Sequence, residues 1–117
     1  YNHIKKENMF GWMNRLLGKK NRELENALMA NPYLVDVRSE AEFANGSVEG
    51  AVNIPLDKIT TQLETLRKHS CIVVFCRSGF RSGMAKKVLQ QKGILAVVNG
   101  GKWQHVQRAK QSINQKS

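Results

Sequence analysis

Ile72-Val73-Val74-Phe75-Cys76-Arg77-Ser78-Gly79-Phe80-Arg81-Ser82 is the stretch on which the fold of this chain turns. Cys71 to Phe75 is an unbroken apolar run, strand-sized and rich in β-branched residues, which implies a strand buried on both faces. Cys76 stands at its carboxyl end. Gly79 permits a sharp turn, and Phe80 to Lys92 reads as a helix with Phe80, Met84, Val88 and Leu89 inward, ended by Gly93.

Outward from this unit the text alternates strand and helix. Upstream, Arg22 to Ala30 reads as a helix stopped by Asn31 and Pro32, and Tyr33 to Val37 as a strand. Ser39 opens a helix to Ala44, with Glu42 at the capping-box position, and Asn45-Gly46 ends it. Ala51 to Ile54 is a short strand closed by Pro55, and a helix runs from Asp57 to about Lys68. Downstream, Leu95 to Val98 is a strand, Gly100-Gly101 a turn, and Trp103 to about Ala109 a closing helix. Such alternation predicts an α/β fold with a central parallel sheet and helices on both faces. Ligands in such folds gather at the carboxyl ends of the strands. Two polar clusters fall there: Asp36-Val37-Arg38, and Cys76 with its loop.

The chain has 117 residues, enough for one domain with its own core. Its ends read differently from its middle. Residues 1–21 form a basic extension with an amphipathic patch (Met9, Phe10, Trp12, Met13, Leu16, Leu17) suited to one short helix. Packing on the domain is the expected role, with membrane-surface or partner contact as the alternative. Residues 22–110 are the expected domain, and 111–117 a polar tail. The opening Tyr1 suggests that something upstream has been removed or replaced, and Met9 could be a natural start.

Formal charge is +10, from 19 Lys and Arg against 9 Asp and Glu, which favours anionic partners. Nucleic acid is not expected, because no binding motif is present and the aromatics are not interleaved with the cations. No run approaches the length of a membrane span. The expected protein is a monomer, cytoplasmic, with the periplasm as the alternative.

Cys71 and Cys76 are the two cysteines. Five apart on one strand, they point to opposite faces, which argues against a disulfide, and no His or Cys pair joins them for zinc. Cys71 has no cationic neighbour and reads as structural. A free cysteine is usually a small buried hydrophobe. Two arginines within five residues of Cys76, beside a glycine turn at a strand's end, argue for chemistry instead. Unpaired N–H groups at the helix start can form an anion nest, and the helix dipole with Arg77 and Arg81 should favour the thiolate.

Several motifs in order resemble the rhodanese family, a group of sulfurtransferases. They are Leu34-Val35-Asp36-Val37-Arg38, Glu42-Phe43, Gly46 to Pro55, the strand and loop from Ile72 to Ser82, and Asn99-Gly100-Gly101 with Trp103. The resemblance covers roughly residues 22–109. It implies a rhodanese-like α/β fold, a cysteine that cycles through a persulfide, and no metal or organic cofactor. By position, Cys76 matches the sulfur-accepting cysteine. Arg77, Ser78, Gly79, Phe80 and Arg81 match the loop that binds the donor, with Ser82 in support. Asp36 and Arg38 match a supporting pair, read mainly as scaffold, with Arg38 able to pair with Glu42 and Asp36 to brace neighbouring loops. Two features depart from the pattern: Ser47 stands where many members have His, and the usual first edge strand is not obvious.

Phosphatases of the same superfamily place five residues between Cys and Arg. Here four separate Cys76 from Arg81, which makes a tighter nest. Sulfite leaves thiosulfate as a stable anion without a general acid, whereas a phosphoester usually needs one. None of His3, His69 and His105 adjoins the loop in sequence. The expected reaction moves sulfur from thiosulfate or a similar small anionic donor to cyanide or a thiol, through Cys76 persulfide. A persulfide carrier fed by a sulfur-relay protein is the alternative, and a cysteine-dependent phosphatase or arsenate reductase a more distant one.

Overall fold

The strand that ends at Cys76 lies inside the sheet, and every residue of it is buried in this computed structural model. The structure describes residues 2–116. Four parallel strands stand in the order β2 (Val52–Asn53), β1 (Tyr33–Asp36), β3 (Ile72–Cys76), β4 (Val97–Lys102). Because side chains alternate along a strand, β3 divides its residues between two cores. Ile72, Val74 and Cys76 face Ile59, Leu66, Ala85 and Leu89. Val73 and Phe75 face Leu24, Ala27, Val48 and Val106. Each such buried apolar side chain contributes roughly 1.5–3 kcal/mol, so a one-residue slip that exchanged the two sets would be prohibitive. That alternation is what aims the Cys76 sulfur toward one helix layer, while Cys71 packs with the other and both thiols are free.

The first layer holds a 3-10 helix (Leu56–Gln62), α3 (Leu63–Arg67) and α4 (Phe80–Gln91). The second holds α1 (Asn2–Met29) and α5 (Trp103–Lys116). Between β1 and β2 lies the short α2 (Glu40–Ala44), opened by the expected capping box of Ser39 and Glu42. No helix among the described residues is long and apolar enough to cross a membrane.

Several elements differ from expectation. The helix expected from Arg22 is the end of one continuous helix from Asn2, since no proline or turn cluster interrupts it. The side chains of Met9, Phe10, Trp12, Met13, Leu16 and Leu17 lie outside the described residues. The helix expected from Asp57 begins as a 3-10 turn, where the Thr61 hydroxyl donates to the Lys58 carbonyl at 2.6 Å, a side-chain bond that competes with α-helical pairing. The Gly100-Gly101 pair continues β4 instead of ending it, with a register shift opposite Val74 and Phe75 absorbing the irregularity. Gly100 is required for contact: a Cβ there would stand 2.5 Å from a Val106 methyl and 3.1 Å from one of Val73. The closing helix runs on to Lys116.

Candidate active site

The carboxyl ends of β1, β3 and β4 meet at one edge of the sheet, and the polar residues collect there. Gly79 turns the chain from β3 into α4 at φ 97°, a left-handed conformation that glycine adopts freely. It also packs closely: a Cβ on Gly79 would lie 3.4 Å from the Gly101 Cα. The turn folds the loop back over Cys76, which is fully buried. The Gly79 N–H points at the Cys76 Sγ at 3.0 Å and the Ser82 N–H at 3.4 Å. Ser82 is the third residue of α4, so the sulfur accepts the N–H that a capping side chain would ordinarily take. The Ser82 hydroxyl lies 3.4 Å from the same sulfur.

These contacts set the acidity of the thiol. Burial pushes the Cys76 pKa up. The Ser82 hydroxyl and the N–H groups of Ser82, Ser78 and Gly79 outweigh it, and the pKa is lowered. Cys71 has burial alone, which raises its pKa. The contacts at Cys76 act in the direction expected from the sequence, but through the loop amides and a hydroxyl more than through the two arginines. Arg77 is exposed. Arg81 forms a two-pronged ion pair with Glu42, at 2.7 and 2.9 Å. That guanidinium, with the Ser39 cap, holds the Glu42 carboxyl at about 2.

The pairing expected for Arg38 is corrected by this arrangement. Glu42 belongs to Arg81, and Arg38 grips Asp36 instead, through Nε at 3.0 Å to both carboxylate oxygens and through Nη2 at 2.6 Å. Both side chains are buried, which demands near-complete pairing. Asp36 also accepts from the Arg38 N–H and the Ser47 hydroxyl, at 2.9 and 2.7 Å. Arg38 further donates to the Gly46 carbonyl at 2.7 Å and lies over the Trp103 ring at 5.2 Å. Asn53 donates to the Asp36 and Arg38 carbonyls. Asp36, Arg38 and Ser47 therefore brace the loops around α2.

Phe80 and Met84, expected inside, are 74% and 46% exposed. The inward face of α4 belongs to Ser82, Ala85 and Leu89, because the turn at Gly79 starts the helix with small residues against the sulfur and sheet. Composition alone assigns the bulky residues to the core, and only the phase of the helix reverses that. Asn99 was not among the sequence candidates. Its side chain accepts from the Ser82 hydroxyl at 2.7 Å and donates to the Gly79 carbonyl at 3.2 Å, tying β4 to the loop. The Asn-Gly-Gly run was legible as a motif, but nothing in it pointed toward Cys76.

His69 stacks on Tyr33 at 3.7 Å, at the amino end of the sheet and away from Cys76. A cleft of about 720 Å³ lies beside the loop between Arg81, Val37, Pro55, Leu56, Lys58 and Glu40, and Cys76 does not line it.

Comparison with known proteins agrees with this geometry. A family model described as Rhodanese-like domain matches residues 20–106. The chain is 43% identical over 70 residues to YtwF of Bacillus subtilis, covering 59% of this chain and 68% of that protein. It is 33% identical over 76 residues to the thiosulfate sulfurtransferase PspE of Escherichia coli, covering 63% and 73%. A solved structure described as rhodanese with anions from E. coli superposes with a TM-score of 0.59 at 31% identity, over 62% of this chain and 88% of that one. The parallel sheet, the cysteine at the end of its inner strand and the length of the matched segment give one answer: this chain belongs to the rhodanese-like domain family.

Proposed function

We propose that the protein is a sulfurtransferase that moves a sulfane sulfur from thiosulfate, or a similar small anionic donor, to a nucleophilic acceptor through a persulfide on Cys76. The observation that carries this reading is the convergence of loop and helix-start N–H groups on the Cys76 sulfur. Such fixed donors stabilise an anion there, the thiolate before transfer and the persulfide after it. In the first step the thiolate attacks the outer sulfur of thiosulfate, a new S–S bond forms, and the old one breaks with its electron pair leaving on sulfite. In the second, the acceptor attacks the terminal sulfur and the Cys76 thiolate leaves. Cyanide departs as thiocyanate, and a thiol as a persulfide once its proton is lost.

Sulfite needs no proton donor, which suits a loop with no adjoining histidine. In this reading exposed Arg77 is the cation that meets the sulfonate, while Arg81 shares its charge with Glu42. The buried sulfur favours a slender donor over a bulky one. The test is intact mass after incubation with thiosulfate. One added sulfur is expected on the native protein and on Cys71→Ala, and none on Cys76→Ala. Phosphate release from an aryl phosphate, with no thiocyanate formed from thiosulfate and cyanide, would overturn the proposal.

A persulfide-carrier role is favoured by one surface feature. Phe80 and Met84 occupy one exposed face of α4 at the loop mouth, with exposed Arg77 and Lys102 nearby. An apolar patch among cations suits an acidic protein donor or acceptor. Silence with thiosulfate, together with persulfide appearing on Cys76 from a cysteine desulfurase, would select this reading.

A further inference from the structure

The Ser82 hydroxyl has one proton and three neighbours that bear on it: the Asn99 Oδ1 at 2.7 Å, the Gly79 carbonyl at 3.2 Å and the Cys76 Sγ at 3.4 Å. Two of these are oxygens that only accept, so where the proton lies depends on how the Asn99 amide is turned. Backbone groups settle that. The Gly101 N–H donates to Oδ1 at 2.9 Å, and Nδ2 donates to the Gly79 carbonyl at 3.2 Å. Turning the amide over would set an NH₂ against an N–H and an oxygen against a carbonyl. Oδ1 therefore faces Ser82, and two oxygens at 2.7 Å require the Ser82 proton between them.

The consequence reaches the sulfur. While Ser82 donates to Asn99 it offers Cys76 only lone pairs, which suits a neutral S–H donating to Oγ. An anionic sulfur needs the reverse, with the hydroxyl turned about its Cβ–Oγ bond to donate. Asn99 can release the proton cheaply, because Oδ1 keeps its bond from Gly101 and the Gly79 carbonyl keeps one from the Gly83 N–H at 3.0 Å. We propose that Asn99 is a positioning residue whose side-chain oxygen holds the Ser82 proton away from the resting Cys76 thiol and yields it to the sulfur once the sulfur carries charge. The thiol proton itself leaves to water. Asn99 thus acts as a brake on ionisation that disengages in the thiolate and persulfide states.

Other charges around the sulfur are Arg81 with Glu42 on α4 and α2, Asp36 with Arg38 at the end of β1, and Arg77 and Lys102 on the solvent side. None of them touches the Ser82 proton, so the Asn99 effect should pass through Ser82 alone.

This inference rests on Cys76 being the nucleophile, but its test needs no sulfur donor. The rate of iodoacetamide alkylation at the Cys76 peptide, followed by mass spectrometry across pH, reports the thiol pKa. Asn99→Ala frees the Ser82 proton and should lower that pKa by about half a unit to one unit, a threefold to tenfold gain in thiolate well below it. Ser82→Ala removes the donor and should raise it by about one unit. In the Ser82→Ala background, Asn99→Ala should shift it by less than a third of its single effect. An unchanged or raised pKa in Asn99→Ala, or an equal shift in both backgrounds, would overturn the proposal. Should Asn99→Ala fail to fold, Asn99→Ser keeps a neutral polar side chain on β4 that is one bond too short to hold the Ser82 proton. It should lower the pKa in the same direction as alanine, and by less than a third as much when Ser82 is alanine; any other result also overturns the assignment. Failure of the native protein to transfer sulfur, with these shifts intact, would instead count against the proposed function.

Discussion

Gly79→Ala is the substitution that couples stability and chemistry most tightly. The residue sits at φ 97°, where an L side chain costs roughly 1–2 kcal/mol. The new methyl would also stand 3.4 Å from the Gly101 Cα, at the near limit of ordinary contact, and adds little if the backbone holds. A folded chain of this length loses roughly 3–6 °C of Tm per kcal/mol, so a fall of about 3–12 °C is expected by circular dichroism. If the turn relaxes toward negative φ to escape the strain, the N–H now 3.0 Å from the sulfur swings away. A hydrogen bond to a charged partner contributes about 1.5–3 kcal/mol, so its loss should raise the Cys76 pKa by about one to two units. At neutral pH the donor step should then slow by roughly tenfold or more. Thermal melting and thiolate absorbance across pH measure the two effects on one sample. Unchanged Tm together with an unchanged thiol pKa would refute the reasoning, since the strain must appear in one or the other.

Gly100→Ala should be destabilised by about 1–3 kcal/mol in urea unfolding, because a methyl 2.5 Å from Val106 forces β4 and α5 apart. Glu42 is held at about 2, first by Arg81, against an ordinary 4.5, so its contribution to stability is complete above that ordinary value and fades as pH falls toward 2. Urea unfolding across that window should therefore show a flatter acid limb in Arg81→Ala than in the native protein. Removing Arg77 and Arg81 singly should slow the thiosulfate step tenfold to a hundredfold, with partial recovery in Arg→Lys variants; unchanged donor kinetics in both alanine variants would exclude a charge role. A chain starting at Arg22 retains Leu24 and Ala27, which are buried in the second core among the described residues, and should fold cooperatively and transfer sulfur. Loss of a cooperative transition would show that the preceding residues belong to the core.

The class of fold and the shape of the loop around Cys76 were legible because they rest on local patterns. An apolar run from Ile72 to Phe75, ending at a cysteine, a glycine and a helix, specifies a buried parallel strand and a loop with unpaired N–H groups, whatever surrounds it. The capping box at Ser39 was legible for the same reason, since its partners lie three residues apart. What required tertiary structure is every pairing that spans the chain. Glu42 and Arg81 are 39 positions apart, Ser82 and Asn99 are 17 apart, and no short-range rule selects those partners over Arg38 for Glu42. The exposure of Phe80 and Met84 was likewise decided by the phase of one helix, which starts from a left-handed glycine and so turns small residues toward the sulfur. Hydrophobic pattern names which residues can be buried, but with four large apolar residues and three small ones on a twelve-residue helix, only the strand it packs against chooses the face.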